Sequence, residues 1–130
     1  MPDRIKMKLS DKAFDRIVRR AIHRIPREIR DHLDNVLISV QKRPSRHMLE
    51  EMGLPADEPL LGLYEGVSQA ERSVFDPPLF PDTIFLFQEP LEEMCRTTED
   101  LEEQIEITVV HEMAHALGMS EERLAELGYG

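Results

Sequence analysis

The sequence has a single cysteine, Cys95, no tryptophan, and aromatic residues at only 5%. One cysteine excludes an internal disulfide and favours a reducing compartment. No apolar run approaches the roughly 20 residues of a membrane span, and residues 1–10 lack the apolar stretch of a secretory signal. We therefore expect a cytoplasmic protein with no membrane partner.

The 130 residues, 41% of them hydrophobic, are enough for one core, and we expect one domain over residues 1–130. The net charge of −10 is unevenly distributed. Residues 1–47 carry 13 Lys/Arg and 6 Asp/Glu, whereas residues 48–130 carry 3 and 20. Either the basic part binds nucleic acid, or the two parts complement each other within one fold. Overall acidity and the lack of aromatics among the arginines make a nucleic-acid partner the weaker interpretation.

Hydrophobic periodicity predicts helices around a few strands without β-α-β alternation, which indicates the α+β class. Five helices are predicted. The first has about four turns and follows an N-cap at Ser10, and the fourth is long and runs from the cap at Thr97 to Gly118. The others cover residues 26–33, 46–53 and 121–127. The predicted strands are 35–41, 60–67 and 83–88. Pro81 and Pro90 flank the last strand and suggest an edge position, and Gly62 suggests a bulge or a close backbone approach.

Residues 111–115 read HEMAH, an H-E-x-x-H motif in the long predicted helix. At about 100° per residue, His111 and His115 are separated by only about 40° around the helix axis, one turn apart. Two imidazoles at this spacing can hold one zinc ion. Glu112 lies about 60° beyond His115 and suits a general base acting on water at the metal.

The competing interpretation is that these histidines are surface or hydrogen-bonded core residues. The helix becomes apolar on nearly all sides from Val109 onward, which predicts that the motif is buried. Buried imidazoles and a buried carboxylate require a partner, and a metal ion is one. We therefore predict one Zn²⁺ per chain.

A third ligand is expected three residues beyond Gly118. Glycine adopts positive φ readily, so a turn at Gly118 brings residues 120–122 back toward the metal. Glu121 completes the pattern H-E-x-x-H-x-x-G-x-x-E and is our predicted third ligand. Alternatively, Ser120 is an N-cap and Glu121 and Glu122 simply favour a helix N-terminus. In that case Glu122 or water is the third ligand.

Several stretches resemble the minimal zincin-like metallopeptidases, small bacterial proteins first grouped as a domain of unknown function. The most specific is VVHEMAHALGMSEERLAELG, which ends at Gly128, and LLGLYEGV (60–67) supports it. Weaker matches are LDNVLISV (33–40), ERSVF (71–75) and PDTIFLFQEPL (81–91). The resemblance implies a small mixed sheet packed with helices and an active-site helix that carries H-E-x-x-H. The family pattern resembles H-E-x-x-H-x-x-G-x-x-D, with an aspartate at the place where this chain has Glu121.

The resemblance implies hydrolysis of peptides or unfolded protein segments. Zincins hold an extended substrate antiparallel to an edge strand above the metal, and residues 83–88 are the expected strand. The alternative function is a zinc-binding regulatory or interaction module without peptidase activity, in which a closed fourth position makes the metal structural.

The remaining polar candidates have no metal-ligand spacing. We expect His23, His32 and His47 at the surface and Cys95 as a free structural thiol. Tyr129 is expected to pack near the end of the last helix, and its alternative role is to assist an oxyanion at the metal.

Overall fold

The computed structural model describes residues 7–55, 59–66 and 82–130. The matching stretch 71–75 and the last residue of the predicted strand 60–67 lie outside these residues. Within the described ranges, the helices are α1 (Asp11–Arg24), α2 (Arg27–Arg30), α3 (Arg46–Glu51), α4 (Gln88–Met94), α5 (Thr98–Leu117) and α6 (Glu121–Glu126). A 3-10 helix (Asp31–Asn35) follows α2.

The strands of the described residues form one three-stranded mixed sheet. They are β1 (Val36–Gln41), β2 (Gly62–Glu65) and β3 (Asp82–Phe87), in the spatial order β1-β3-β2. β1 is parallel to β3, with Val36 opposite Asp82, and β2 is antiparallel to β3, with Gly62 opposite Leu86. The α+β class with a small mixed sheet is therefore confirmed.

The predicted edge position of the third strand is wrong, because β3 pairs on both sides and is the central strand. No proline falls within Asp82–Phe87, so its backbone can donate to both neighbours. Pro90 is the third residue of α4, a helix that was not expected. Proline is tolerated there because the first-turn N–H groups of a helix have no partner within it.

Three of the predicted helix ends are confirmed, whereas the helix predicted over residues 26–33 is α-helical only over Arg27–Arg30. Ser10 Oγ accepts a hydrogen bond from Ala13 N at 3.2 Å, and Thr97 Oγ1 accepts one from Asp100 N at 3.1 Å. Gly118 ends α5 with φ +70° in the left-handed region that favours glycine. These caps fix where α5 begins and where the chain turns after it.

The core lies between α1, α5 and the sheet. Its fully buried members include Phe14, Ala21, Ile84, Leu86, Leu101, Ile105, Val109 and Val110. This burial fixes the rotation of α5 about its axis, because the residues at helical spacing from Leu101 to Val109 must face inward. None of the described helices has the length and apolar character of a membrane span.

Ion pairs join the basic and acidic parts of the chain. Arg24 pairs with Glu102 and Glu106, with nitrogen–oxygen distances of 3.0 and 2.9 Å. Arg43 pairs with Glu89 and Glu93, each at 2.5 Å. These contacts support the interpretation that the two parts complement each other within one fold.

Candidate metal centre

The H-E-x-x-H motif lies in the last two turns of α5. Upstream of it, α5 is held by apolar contacts, and Val109, Val110, Met113 and Ala114 remain buried around the motif. His111 and Glu112 are half-buried, whereas His115 is exposed. The expectation that the whole motif is buried is therefore wrong for His115. At this position, buried apolar residues no longer cover every side of the helix.

His111 contacts the chain segment that follows α6. Its Nε2 lies 3.0 Å from the carbonyl oxygen of Tyr129. A carbonyl oxygen can only accept a hydrogen bond, so this contact places the proton of a neutral His111 on Nε2. The lone pair of the ring is then on Nδ1.

His115 lies one turn beyond His111 on the same side of the helix. Within the described parts of the chain its imidazole makes no hydrogen bond or ion pair. The pair therefore combines one imidazole bound to a carbonyl and one that faces solvent.

Glu112 is bound to the edge of the sheet. Its Oε1 accepts a hydrogen bond from the backbone N–H of Tyr64 in β2, at 2.9 Å. The contact fixes the carboxylate without a cation, and it links α5 to a strand 48 residues away in the sequence. A backbone N–H that binds a carboxylate supplies a charge-assisted hydrogen bond.

Gly62 allows α5 to approach β2 closely. A Cβ at Gly62 would lie 2.6 Å from Thr108 Cγ2 and 3.1 Å from the Phe85 carbonyl oxygen, closer than real Cβ atoms tolerate without a shift. The predicted close approach at Gly62 is therefore confirmed. Thr108 is one turn before Glu112, and Gly62 is two residues before Tyr64, so the close contact and the Glu112 hydrogen bond follow each other along the two elements.

In the part of the chain that the structure describes, β2 rather than β3 presents the sheet edge beside the motif. The Phe87 N–H donates to the Leu61 carbonyl at 3.0 Å, just before β2 begins. Backbone groups alternate between the two sides of a strand, so those of Gly62 and Tyr64 point away from β3. The Tyr64–Glu112 hydrogen bond lies on this outer side.

Glu121 is the first residue of α6 and is exposed. Ser120 caps this helix, since its Oγ accepts a hydrogen bond from Arg123 N at 3.0 Å. Glu121 and Glu122 therefore have the helix-terminus role given above as the alternative, and ligation by either stays a prediction. Among residues 7–55, 59–66 and 82–130, no three His, Cys, Asp or Glu side chains are grouped so that they could hold a metal ion.

Tyr129 packs against α5, as its expected packing role requires. Its hydroxyl donates to Glu106 Oε2 at 2.5 Å, and burial together with this carboxylate raises the pKa of the phenol. The phenol therefore stays protonated at neutral pH and is a hydrogen-bond donor. The hydroxyl is committed to Glu106, so the structure gives no support to the oxyanion role.

The other candidates lie where they were expected. His23, His32 and His47 are exposed, and His47 Nε2 lies 2.8 Å from Glu51 Oε1. Cys95 is a buried free thiol whose pKa is raised, first by burial and then by the charge of Asp100.

Two partners of the motif were not found from the sequence: the Tyr64 N–H and the Tyr129 carbonyl. Both are main-chain groups, which every residue type carries, so no side-chain pattern identifies them. The glycine at position 62 was the only signal, since it indicated that another element approaches the strand at this point.

The residue types at the motif fit a zinc ion in part. The two imidazoles are of the kind and spacing that zinc accepts, and Glu112 lies between them in the sequence with its carboxylate held in place. A third donor is not grouped with them in the described residues. His111 Nε2 is available to a metal only once it no longer donates to the Tyr129 carbonyl.

Comparison with known proteins gives one family match. The family model described as zincin-like metallopeptidase matches residues 33–130, which include the whole sheet, the motif and α6. A search of curated proteins finds no match. With three quarters of its length matched by that family model, the chain belongs to the zincin-like metallopeptidase family.

Proposed function

We propose that the protein is a zinc-dependent hydrolase of peptide bonds in which His111 and His115 hold the metal and Glu112 is the general base. The observation that carries this proposal is the position of Glu112. Its carboxylate is bound to the outer side of an edge strand, on the same helix as two histidines one turn apart. A purely structural zinc site does not need a base at this position.

Zinc bound at this pair would lower the pKa of water to about 7 and polarise the scissile carbonyl. The Tyr64 N–H engages one oxygen of Glu112, which keeps the carboxylate from rotating away. The other oxygen, Oε2, accepts the proton of the attacking water and delivers it to the leaving amine. Glu112 therefore moves the proton, and Tyr64 positions Glu112 through its main chain.

The proposed substrate is an extended peptide or an unfolded protein segment beside β2. An edge strand binds an extended chain through main-chain hydrogen bonds, as in strand addition. The outward-pointing backbone of Gly62 is the part of this edge that lies next to the Tyr64–Glu112 hydrogen bond. This edge replaces residues 83–88, which were expected to hold the substrate and are central in the sheet.

Glu121 is the proposed third ligand. The turn at Gly118 reverses the chain, and Ser120 then places Glu121 at the start of α6. A carboxylate oxygen is a suitable zinc ligand. We expect Glu121→Gln to weaken zinc binding, and Glu122→Gln is the matched control, one residue further on in the same helical turn. Loss of affinity in Glu122→Gln alone would transfer the role to Glu122.

The first experiment measures zinc per chain by elemental analysis, together with cleavage of an unfolded protein. We expect about one zinc per chain in the wild type, loss of zinc in His115→Ala, and loss of cleavage with zinc retained in Glu112→Gln. His47→Ala, which removes another exposed histidine, is the control and leaves both unchanged. Failure of the wild type to bind supplied zinc would contradict the proposal.

A second candidate is a zinc-binding regulatory or interaction module. It is favoured by the lack of a grouped third donor in the described residues and by the engagement of His111 Nε2 with a carbonyl. The two candidates differ in the role of Glu112. Zinc in the wild type without cleavage of any tested peptide, and without any effect of Glu112→Gln, would favour the module.

A further inference from the structure

Tyr129 contacts α5 at two points. Its hydroxyl donates to Glu106 Oε2 at 2.5 Å, and its carbonyl oxygen lies 3.0 Å from His111 Nε2. One residue therefore links the part of α5 that precedes the motif to the first histidine of the motif. The side chain makes one contact and the main chain makes the other.

The backbone of Tyr129 is fixed by the end of α6. The Tyr129 N–H donates to the Leu124 carbonyl at 2.8 Å, and Gly128 precedes it with φ +98°. Gly130 packs against Ala125 so closely that a Cβ on it would lie 2.6 Å from Ala125 Cβ. The carbonyl of Tyr129 thus reaches His111 from a defined position rather than from a loose segment.

The contact with His111 is incompatible with a metal at the same ring nitrogen. Nε2 has one in-plane direction, which holds either a proton or a lone pair for a metal. Two imidazoles one turn apart meet most readily through Nε2, because this atom lies at the end of the ring farthest from the helix. A metal shared through Nε2 therefore requires that the Tyr129 carbonyl moves away.

We propose that residues 128–130 form an internal latch that competes with the metal ion for His111. Closed, the latch keeps a proton on His111 Nε2 and occupies the direction of the metal. Open, it frees the imidazole to act with His115. The inference rests on the proposed function, since it concerns the same two histidines, and it assigns Tyr129 a role that the H-E-x-x-H pattern does not contain.

The latch predicts that loosening Tyr129 tightens zinc binding. An equilibrium that leaves only a fraction of molecules competent weakens the apparent affinity by that fraction. We expect the zinc dissociation constant, measured by competition with a chromophoric chelator, to fall about 3- to 10-fold in Tyr129→Phe, which loses the hydroxyl contact. We expect a larger fall in Tyr129→Ala, which also loses the ring.

A second readout needs no metal. Nitrogen-15 NMR of the metal-free protein reports which nitrogen of His111 carries the proton. We expect a fixed Nε2–H form in the wild type and an average of both tautomers in Tyr129→Ala. Ser45→Ala is the control, because it removes the N-cap of α3, whose hydroxyl accepts a hydrogen bond from Met48 N. It loosens a helix outside the motif and leaves both readouts unchanged.

The outcomes separate the latch from the proposed function. Tighter zinc binding in both Tyr129 variants, with a freed His111 tautomer, supports the latch. Equal zinc affinity in all the proteins overturns the latch and leaves zinc binding intact. Weaker zinc binding in the variants also overturns it, since the carbonyl would then orient His111 for the metal. No zinc in any protein, even after it is supplied, overturns the latch together with the proposed function.

Discussion

The two halves of α5, residues 98–107 and residues 108–117, hold their polar side chains in different ways. In the first half, Glu102 and Glu106 pair with Arg24 on α1. In the second half, the hydrogen-bond partners of Glu112 and His111 are backbone groups, the Tyr64 N–H and the Tyr129 carbonyl. No Lys or Arg in the described residues pairs with Glu112.

This difference shows how one helix serves both structure and a reactive site. An adjacent cation stabilises the charged form of a carboxylate and weakens it as a base, whereas a backbone N–H orients the carboxylate and adds no net charge. Both halves add buried residues to the core, among them Ile105 in the first and Val109 in the second, and the second half alone carries an exposed histidine, His115. Stability is therefore expected to depend on the buried face along the whole helix, and zinc binding on the second half.

The largest expected effect comes from shortening a core side chain in the first half. Ile105 is fully buried, and Ile105→Ala should lower the free energy of unfolding by about 2–5 kcal/mol through lost burial and the cavity that remains. His115→Ala, in the exposed part of the second half, should change it by no more than about 0.5 kcal/mol. Urea denaturation measures both. Similar losses in the two variants would contradict the separation between the buried face of α5 and the exposed position of His115.

The next largest effect is expected where the second half begins, at the contact between Thr108 and Gly62. Gly62→Ala introduces a Cβ 2.6 Å from Thr108 Cγ2 and should lower the free energy of unfolding by about 1–3 kcal/mol. Because α5 must then move away from β2, the Tyr64–Glu112 hydrogen bond should lengthen. Urea denaturation and the NMR shift of the Tyr64 amide proton measure the two effects.

Thr108→Ser provides the matched test of this contact. It removes Cγ2 and retains the hydroxyl, which donates to the Gln104 carbonyl at 2.8 Å. The double variant Gly62→Ala with Thr108→Ser should recover part of the lost stability. A double variant that loses the sum of the two single losses would show that the methyl–glycine contact does not hold α5 against β2.

A smaller effect is expected at the end of the second half. Gly118 has φ +70°, and a Cβ there would meet no other atom within 4 Å, so Gly118→Ala tests the backbone conformation alone. The expected loss is about 1–2 kcal/mol, from the cost of a left-handed residue with a side chain. Gly118→Asn should lose less, because asparagine tolerates this region better. Thermal unfolding measures the loss of stability in both variants. Equal losses would contradict this ranking.

The smallest effect concerns the ion pair that joins α6 to α2, between Arg123 and Glu28. The hydrogen bond from Arg123 is the main cause that lowers the pKa of Glu28 below its usual value of 4.5. The contribution of this ion pair to stability is fully present above the pKa of Glu28 in the unfolded chain. It is lost as the pH falls through the lower pKa of Glu28 in the folded chain. Exposed pairs contribute little, so the expected change is slight.

Glu28→Gln should remove this acid-dependent contribution and leave the shape of the stability profile above pH 6 unchanged. Unfolding free energies of both proteins between pH 3 and pH 7 provide the measurement. A constant difference between the two proteins across this range would mean that the ionisation of Glu28 has no part in holding α6.

Local features were predicted well because they depend on neighbouring residues. The caps at Ser10 and Thr97, the turn at Gly118 and the span of α5 all follow from short-range hydrogen bonds and hydrophobic periodicity. Strand positions were predicted within one or two residues. The order of the strands was not predicted correctly. A proline indicates an edge strand only if it lies within the hydrogen-bonded ladder, and Pro90 belongs to α4.

The features of the site likewise divide into those that depend on neighbouring residues and those that depend on tertiary packing. The sequence by itself determined that His111, Glu112 and His115 lie on one helix at metal-ligand spacing, because the pitch of an α-helix fixes that arrangement. Only the tertiary structure decided that Glu112 meets the Tyr64 N–H and that His111 meets the Tyr129 carbonyl. These partners are backbone groups, identical in every residue, and only the packing of α5 against β2 and α6 brings them to the motif.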